Sequence, residues 1–408
     1  MRTFMAAIHP FAALRPTPAS VARVAAVPYD VVNSDEAQEL AGDDALSFLR
    51  VSRPEIECPS GTYVYADEVY AKAEDNFDRL RRAAPLVVED LPSLYVYRLH
   101  MGAHVQTGVA ACYSVDEYAH DLIRKHEKTR PDKEDDRTRH ILALRAQTGP
   151  VFLTYRASAD VDEAVQTVTS GEPLFDFTAA DGVRHIVWRA PESAVPGLVA
   201  AFAAVPALYI ADGHHRAASA WRTHLALSAE GPGEHERFLA VAFPDAQMQV
   251  LPYNRVVRDL NGLSPDAFRA ALEARCTITP GGPATPVRKG LVAMYLAGQW
   301  STLDFGAPPA GLALDAALDV SRLQDAVLAP VLGIQDVRTD KRIDFVGGIR
   351  GTAEIERLVD GGAFTVGFSL FPVSVDDLMR ISDAGGIMPP KSTWFEPKLR
   401  DGVLSHLV

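Results

Sequence analysis

The sequence predicts a mixed α/β protein of the α+β class. Short apolar runs bounded by Gly, Pro, Asn or Asp recur along the chain, and such runs are typical of β-strands. Between them lie segments in which apolar residues have helical spacing. The chain has 408 residues, 48% of them hydrophobic, which is enough to bury a large core in two or three lobes. We expect an N-terminal α/β region over residues 1–260 and an additional α/β lobe over residues 261–408.

Several elements can be placed from local pattern. An antiparallel pair is expected around the turn at residues 100–102, and Asp181-Gly182 is expected to be a second hairpin turn. Pro28 should keep residues 21–32 extended, because proline disfavours a helix at the residue before it. The expected strands cover residues 94–97, 105–113, 151–155, 207–210, 239–243 and 249–251, and the expected helices cover residues 35–41, 62–82 and 217–227.

Composition excludes several classes of protein. The formal net charge of −13 argues against a nucleic-acid-binding protein, which would normally carry a basic face. No apolar run is long enough for a membrane span, and the start of the chain, Met1–Phe4, lacks the apolar stretch of a signal peptide. Cys58, Cys112 and Cys276 are odd in number and form no CxxC pair, so a reducing compartment is expected. We therefore expect a cytoplasmic protein.

The strongest functional pattern is Asp212-Gly213-His214-His215-Arg216, between an apolar strand ending at Ala211 and a helix. We expect Asp212 to cap the helix and Gly213 to allow a sharp turn and the close approach of a ligand. The helix would direct its N–H groups and positive dipole end at the turn, while Arg216 offers a fork suited to phosphate oxygens. With several donors and no competing base expected nearby, the turn is interpreted as a phosphate site.

Two other interpretations of this turn remain open. It could be a surface turn with an ordinary helix cap. The paired histidines could instead bind a metal ion with Asp212, although adjacent helical residues point in different directions and rarely share one ion.

The most charged stretch of the chain covers residues 121–139. It could be a solvated helix, but Pro131 should interrupt a single helix there. The alternative is an active-site loop that presents His126, Glu127 and Arg130 to a ligand. A carboxylate beside a phosphate could then bind Mg²⁺ or accept a proton from an attacking hydroxyl.

A second candidate phosphate-binding segment follows Gly385-Gly386, where Lys391, Ser392 and Thr393 lie close to Lys398. A lysine with hydroxyl groups suits phosphate or metal-bound phosphate. The spacing is not that of a Walker A loop, because proline precedes the lysine. The alternative is a basic surface loop without a ligand.

Residues 209–220 resemble the phosphate-binding signature of the ParB/sulfiredoxin-like superfamily, which includes chromosome-partition nucleotidases, sulfiredoxin and free-serine kinases. Nearly the whole chain also resembles the prokaryotic family known as domain of unknown function 1015. The second resemblance rests on Val27–Val32, His126-Glu127, Thr129-Arg130, Lys133-Glu134, Asp136-Arg137, the Asp212 turn, Met388–Thr393 and Pro397-Lys398. These resemblances imply a ParB/sulfiredoxin-like core in the N-terminal region.

The resemblance implies a small-molecule phosphotransferase that makes O-phosphoserine from free serine. It implies Mg²⁺ as cofactor, with ATP, ADP or pyrophosphate as donor. The residue types fit in-line transfer, with Glu127 as the expected base, Asp30 as the reserve and His126 beside them. The phosphate-binding set is expected to be Asp212, Gly213, His214, His215, Arg216, Arg130, Lys391, Ser392 and Thr393.

Two other functions are weighed against this one. A nucleotide-binding switch of the partition type would hydrolyse slowly and have no acceptor, but the sequence has no basic recognition helix. A sulfiredoxin-like reductase would need a reactive cysteine where His214 stands.

Overall fold

The computed structural model describes residues 7–83 and 86–408, so Met1–Phe4 lies outside the described residues. The described chain forms two compact units. Unit 1 contains residues from the ranges 1–125, 129–248 and 397–408, and unit 2 contains residues 126–128 and 249–396. The domain division expected after residue 260 stays a prediction. Over the two described ranges, every helix is too short or too polar to span a membrane.

The strands are numbered in chain order. They are β1 Ile8–His9, β2 Leu14–Arg15, β3 Val87–Val88, β4 Tyr95–Met101, β5 His104–Ser114, β6 Ile123–Arg124, β7 Ala146–Gln147, β8 Val151–Tyr155, β9 Phe175–Thr178, β10 Arg184–Arg189, β11 Leu208–Asp212, β12 Arg237–Pro244, β13 Gln249–Leu251, β14 Tyr253–Val257, β15 Thr277–Pro280, β16 Leu291–Leu296, β17 Gln299–Asp304, β18 Ile343–Gly347, β19 Val366–Leu370, β20 Trp394–Glu396 and β21 His406–Leu407.

The α-helices are numbered in the same way. They are α1 Val21–Val24, α2 Ser34–Ala41, α3 Leu49–Ser52, α4 Asp67–Ala83, α5 Val115–Ala119, α6 Pro131–Leu144, α7 Ala159–Thr169, α8 Val195–Phe202, α9 His214–Leu227, α10 Pro265–Glu273, α11 Asp319–Leu323, α12 Gly351–Asp360 and α13 Val375–Asp383. A π-helical turn, Gln324–Leu328, continues α11, and short 3-10 turns occupy Pro54–Glu57, Glu192–Ala194, Ser228–Glu230, Glu234–Glu236, Asp245–Gln247 and Gly348–Arg350.

A nine-stranded mixed sheet forms the centre of unit 1. Its order is β6-β11-β8-β12-β5-β4-β10-β9, with β1 paired to β5. The β6–β11 and β8–β12 pairs are parallel, and the other pairs are antiparallel. Residues 109–113 of β5 are fully buried, and they are the continuous apolar part of this strand. Helix α9 contacts β8 and β12 and packs along α6. The turn between β11 and α9 therefore lies where β11 leaves this sheet.

The last residues of unit 1 join its earlier strands. Ser405 pairs with Leu14, Asp401 pairs with Ala26, and β21 pairs with β7. In sequence order, the chain therefore passes through unit 2 and then returns to unit 1.

Unit 2 contains a six-stranded antiparallel sheet in the order β15-β17-β16-β19-β14-β18. Helix α12 contacts β14, β16, β18 and β19, and Ile355 on this helix is fully buried. A Cβ at Gly367 of β19 would lie 2.2 Å from Ile355 Cγ2, so the glycine lets helix and sheet approach closely.

The mixed α/β class is confirmed, as are most of the expected elements. The hairpin around Gly102, the β9–β10 hairpin at Asp181-Gly182 and the strand before the Asp212 turn are present. Helix α2 is present but begins one residue earlier than expected, at Ser34, with a capping box between Asn33 and Glu36.

Three local expectations are wrong. Residues 21–32 are not uniformly extended, because Val21–Val24 form α1. This helix ends four residues before Pro28, and proline restricts mainly the residue directly before it. The helix expected from residue 62 begins at Asp67, after a turn. Pro131 does not interrupt a helix but begins α6, since the first helical turn needs no N–H from that position.

Candidate functional site

The turn between β11 and α9 is built around Gly213. Its φ of 90° is readily available only to glycine, and it occupies the N-cap position expected for Asp212. Asp212 instead ends the strand, and its carboxylate accepts the Gly213 N–H at 2.8 Å. The first helical bond joins Ala217 N–H to Gly213 O, so the preceding amides point out of the helix end. The turn retains the geometry of an anion-binding helix terminus.

The Asp212 carboxylate lies between two cations of unit 1. Its Oδ2 accepts a hydrogen bond from Lys398 Nζ at 2.8 Å and lies 3.7 Å from Arg216 Nη2. Burial alone would raise the pKa of Asp212, but Lys398 and Arg216 together hold this pKa well below its usual range. Asp212 is therefore ionised at neutral pH, and it fixes the position of Lys398 beside the turn.

Arg216 does not present an open fork to solvent. Its side chain is 9% exposed, and Nη1 donates to the carbonyl oxygen of Pro150. Nη2 lies 3.7 Å from Asp30 Oδ2 and from Asp212 Oδ2. The expectation that no base competes for this arginine is wrong, because the Asp212 carboxylate of the same turn and the Asp30 carboxylate of a distant segment both lie close to it. Arg216 therefore holds the Asp30 and Asp212 carboxylates close together at the base of the turn.

A third carboxylate, Asp401, lies behind these groups and is 2% exposed. Burial, with a smaller contribution from Asp30, raises its pKa to about 7, although Arg216 and Arg137 act to lower it. A Cβ at Gly149 would lie 2.6 Å from Asp401 Oδ1, so the backbone closes on this carboxyl group. Asp401 is thus the carboxyl group of this cluster that can change protonation near neutral pH.

Helix α6 contributes an adjoining polar layer. Arg137 pairs with Asp136 at 2.8 Å and stacks over the ring of Tyr29, with its Cζ 4.1 Å from the centroid. Tyr70 donates to Asp136 at 2.8 Å. Burial lowers the pKa of His140 to about 3, so this histidine is neutral. Tyr29, Arg137 and His140 line a cavity of about 40 Å³ inside unit 1, together with Arg216 and Asp401.

Arg130 and His215 are brought together, though not through the Arg130 side chain. The Arg130 backbone N–H donates to His215 Nε2 at 3.0 Å. The exposed guanidinium of Arg130 forms an ion pair with Asp132 at 2.7 Å. His214, next to it on the turn, is buried at 6% exposure. Arg130 therefore supports the turn with its backbone, and a phosphate contact from its side chain stays a prediction.

The remaining expected site residues belong to unit 2. The carbonyl oxygen of His126 accepts the Met388 N–H at 2.7 Å, and Glu127 follows it in the chain. Their participation at the turn stays a prediction.

The Lys391–Thr393 segment forms hydrogen bonds with other residues of unit 2. The Lys391 carbonyl oxygen accepts from Arg255 Nη2 at 3.0 Å, and its Nζ lies 5.3 Å from the Tyr253 ring centroid. Ser392 Oγ donates to the carbonyl oxygen of Pro389 at 2.6 Å. Phosphate binding by Lys391, Ser392 and Thr393 stays a prediction.

Sequence reasoning missed how Lys398, Asp401 and Arg137 contribute to the unit 1 cluster. Lys398 and Arg137 were noted as parts of family motifs, but nothing in the local pattern linked them to Asp212 or Asp30. The available signal was the density of charged residues in Lys398-Leu399-Arg400-Asp401, directly before the apolar residues Val403 and Leu404. Such residues are good candidates for a buried polar network.

Comparison with known proteins gives one family and several distant structures. The family described as "Protein of unknown function (DUF1015)" matches residues 8–321. No curated protein matches the sequence.

The solved structures that are similar include SbnI with a C-terminal truncation from Staphylococcus aureus, at 14% identity and a TM-score of 0.41, covering 73% of this chain and 87% of that one. A free serine kinase in complex with AMP has 13% identity and a TM-score of 0.39, covering 73% of this chain and 92% of that one. A conserved hypothetical protein from Pyrococcus furiosus has 13% identity and a TM-score of 0.37, covering 73% and 95%. Values of this size carry no inference about function.

Proposed function

The chain belongs to the DUF1015 family, and for it we propose a phosphotransferase that moves a phosphoryl group from a nucleotide or pyrophosphate to the hydroxyl of free serine. One observation carries the proposal. The Gly213 turn places a helix N-terminus beside Lys398, while Asp212 and Asp30 supply carboxylates within 3.7 Å of Arg216. Phosphoryl transfer needs this combination of anion-binding groups and a proton acceptor.

The phosphate-binding part of the site would be the turn itself. The amides at the start of α9 and the Lys398 ammonium would bind donor phosphate oxygens. Asp212 would act through Lys398, because its 2.8 Å hydrogen bond holds the ammonium in place. The unit 2 residues Lys391, Ser392 and Thr393 are proposed to contact the donor as well.

In the transfer step, the serine hydroxyl oxygen attacks the terminal phosphorus of the donor. A new P–O bond forms as the bond to the departing nucleotide or phosphate breaks, and the hydroxyl proton passes to a carboxylate. We propose Glu127 as this base, with Asp30 as the alternative; the 3.7 Å contact of Asp30 with Arg216 supports the latter. Carboxylate oxygens of this kind also suit Mg²⁺, which would neutralise donor charge when bound.

The test is to incubate the purified full chain with serine and ATP, ADP or pyrophosphate, with and without Mg²⁺, and to measure products by mass. O-phosphoserine is the expected product. Lys398→Met should reduce turnover at least about tenfold, because a charge-assisted contact to phosphate is lost. Lys289→Met is the matched control, since Lys289 is also paired with an aspartate, Asp377, but in unit 2.

Two further variants identify the base. Loss of transfer with retained donor binding in Glu127→Gln, but not in Asp30→Asn, would assign Glu127, and the reverse would assign Asp30. If the chain binds a donor but forms no phosphorylated metabolite with any hydroxylated acceptor, the transferase proposal fails. A nucleotide-binding switch without acceptor then takes its place.

A further inference from the structure

Unit 2 contains a cavity of about 360 Å³ that the proposed function does not use. It lies where β14 meets the π-helical turn after α11 and the Pro389-Pro390 segment. Its volume falls in the range of pockets that hold small organic ligands. Two of its lining side chains bear on what it could bind: Arg255 is a buried cation, and Gln324 has a buried oxygen without a hydrogen-bond partner among the residues that the structure describes.

Arg255 lies on β14 between β18 and β19 and is 2% exposed. Its guanidinium donates to the carbonyl oxygens of Tyr253 and, at 3.0 Å, of Lys391. Within the described ranges, the carboxylates all lie beyond ion-pairing distance of this guanidinium. Burial accordingly lowers the pKa of Arg255 to about 10. A buried cation without a counter-charge is unfavourable, and a bound anion would offset that cost.

Gln324 supplies a second polar group, a side-chain oxygen without a hydrogen-bond partner within the two described ranges. Its Nε2 donates to the carbonyl oxygens of Ile334 at 2.8 Å and Gln335 at 3.4 Å. These two acceptors fix the orientation of the amide, which makes Oε1 the remaining acceptor. Oε1 is buried and has no hydrogen-bond partner in the described part of the chain. A buried acceptor of this kind is normally satisfied by a donor.

The backbone at Gln324 is itself unusual. This residue begins the π-helical turn Gln324–Leu328, and single π-turns within helices occur frequently at functional sites. The turn also places the side chain of Leu328 in the cavity wall, where Val320 and Val337 add further apolar surface. The cavity therefore combines a cation, an acceptor and an apolar wall.

The charged pair at the cavity does not supply the missing anion. Asp336 and Arg338 both line the cavity, but they bind each other at 2.8 Å, and this arginine holds the pKa of Asp336 at about 2. The pair is neutral as a whole, so Arg255 leaves the cavity with a net positive charge.

We propose that this cavity binds a small carboxylate that carries an amino or hydroxyl group on the adjacent carbon. The carboxylate would pair with the Arg255 guanidinium, and the N–H or O–H would donate to Gln324 Oε1. The carbon skeleton would lie against Val320, Leu328 and Val337. The turn of the proposed phosphoryl transfer lies in unit 1, and Arg255 of this cavity contacts one proposed donor-binding residue, Lys391, through the carbonyl oxygen of that lysine.

The experiment is calorimetric titration of the full chain with glycine, L-alanine and L-lactate. None of the three is serine, and the two amino acids have no side-chain hydroxyl to accept a phosphoryl group, so binding is measured apart from transfer. At least one should bind saturably. Acetate, which lacks the donor, and ethylamine, which lacks the carboxylate, should bind at least about tenfold more weakly.

Variants locate the binding. Arg255→Met and Gln324→Met should each weaken affinity at least about tenfold. The matched control is Arg357→Met, because Arg357 is an exposed unit 2 arginine paired with Glu354 outside the cavity. It should leave affinity unchanged. If Arg255→Met fails to fold, Gln324→Met and the cavity-filling Val337→Trp provide the same test.

Absence of binding at millimolar ligand would overturn the proposal. So would acetate binding as tightly as glycine, because Gln324 would then have no role. Tighter binding of inorganic phosphate than of any carboxylate would overturn the ligand class. Affinity that is unchanged in both Gln324→Met and Val337→Trp would place the ligand elsewhere.

Discussion

Replacing Asp401 by asparagine tests the electrostatics of the unit 1 cluster. Asp401 has a folded-state pKa of about 7, against 3.8 for the unperturbed side chain. Because folding raises the pKa of this acid, the folded chain binds more protons than the unfolded chain between these values. The free energy of unfolding therefore decreases as pH rises from about 4 to about 7. Asparagine cannot ionise, so the variant should escape this loss.

The magnitude follows from the difference between the two pKa values. A difference of about 3 between the two pKa values corresponds to a loss of about 4 kcal/mol in the free energy of unfolding once the pH lies above 7. Between pH 5 and pH 8, the stability of Asp401→Asn relative to the wild type should increase by about 2 to 3 kcal/mol. Burial is the main cause of the raised pKa, and the groups that modify it are Arg216, Asp30 and Arg137, which face Asp401 from other segments, and the Tyr29 backbone amide.

The assay is urea unfolding of both proteins at pH 5, 6, 7 and 8, buffered at constant ionic strength. Asp336→Asn is the matched control. The pKa of Asp336 is lowered to about 2, so this aspartate is ionised in both states throughout the range. Its effect on stability should not vary with pH. If the difference between Asp401→Asn and the wild type is also constant from pH 5 to pH 8, then Arg216 outweighs burial and our account of the cluster is wrong.

Two other substitutions test the turn and the C-terminal loop. Gly213→Ala should lower the free energy of unfolding by about 1 to 2 kcal/mol, because φ is 90° and the new Cβ would lie 3.0 Å from the Arg216 guanidinium. Gly182→Ala, with a φ of 81° but no atom within 4 Å, should cost less in the same urea titration, and equal costs would contradict the steric argument. Lys391→Ala should weaken donor binding at least about tenfold without changing the unfolding midpoint; unchanged affinity in calorimetry would remove this lysine from the site.

The sequence was sufficient to predict the turn but not its surroundings. A buried strand, a glycine and a helix start are local features, and all three lie within residues 208–216. The pairing of Arg216 with Asp30 joins residues far apart in the chain, as does that of Asp212 with Lys398. Local patterns contain no information about such pairs, so Arg216 was interpreted as an open phosphate ligand.

Pro131 shows a different reason for error. A proline inside a charged run suggested a break, whereas the same residue is favourable in the first turn of a helix. Which of the two applies depends on where the helix begins. Here Arg130 has extended backbone angles and its N–H is used by His215, so the helix begins at the proline. That contact is tertiary and could not be read from the charged run alone.

The return of the chain to unit 1 after unit 2 affects the order of folding. Residues 397–408 supply Lys398 and Asp401, yet residues 249–396 must be synthesised before them. Synthesis proceeds from the N-terminus, so the large sheet can form on the ribosome while the cluster around Asp212 still lacks its lysine. The entropy of closing a long intervening loop grows only slowly with its length, so the 148 residues from 249 to 396 do not prevent the late pairing. Nascent chains should therefore pass through a stage in which the sheet is formed and the Asp212 carboxylate has no lysine partner.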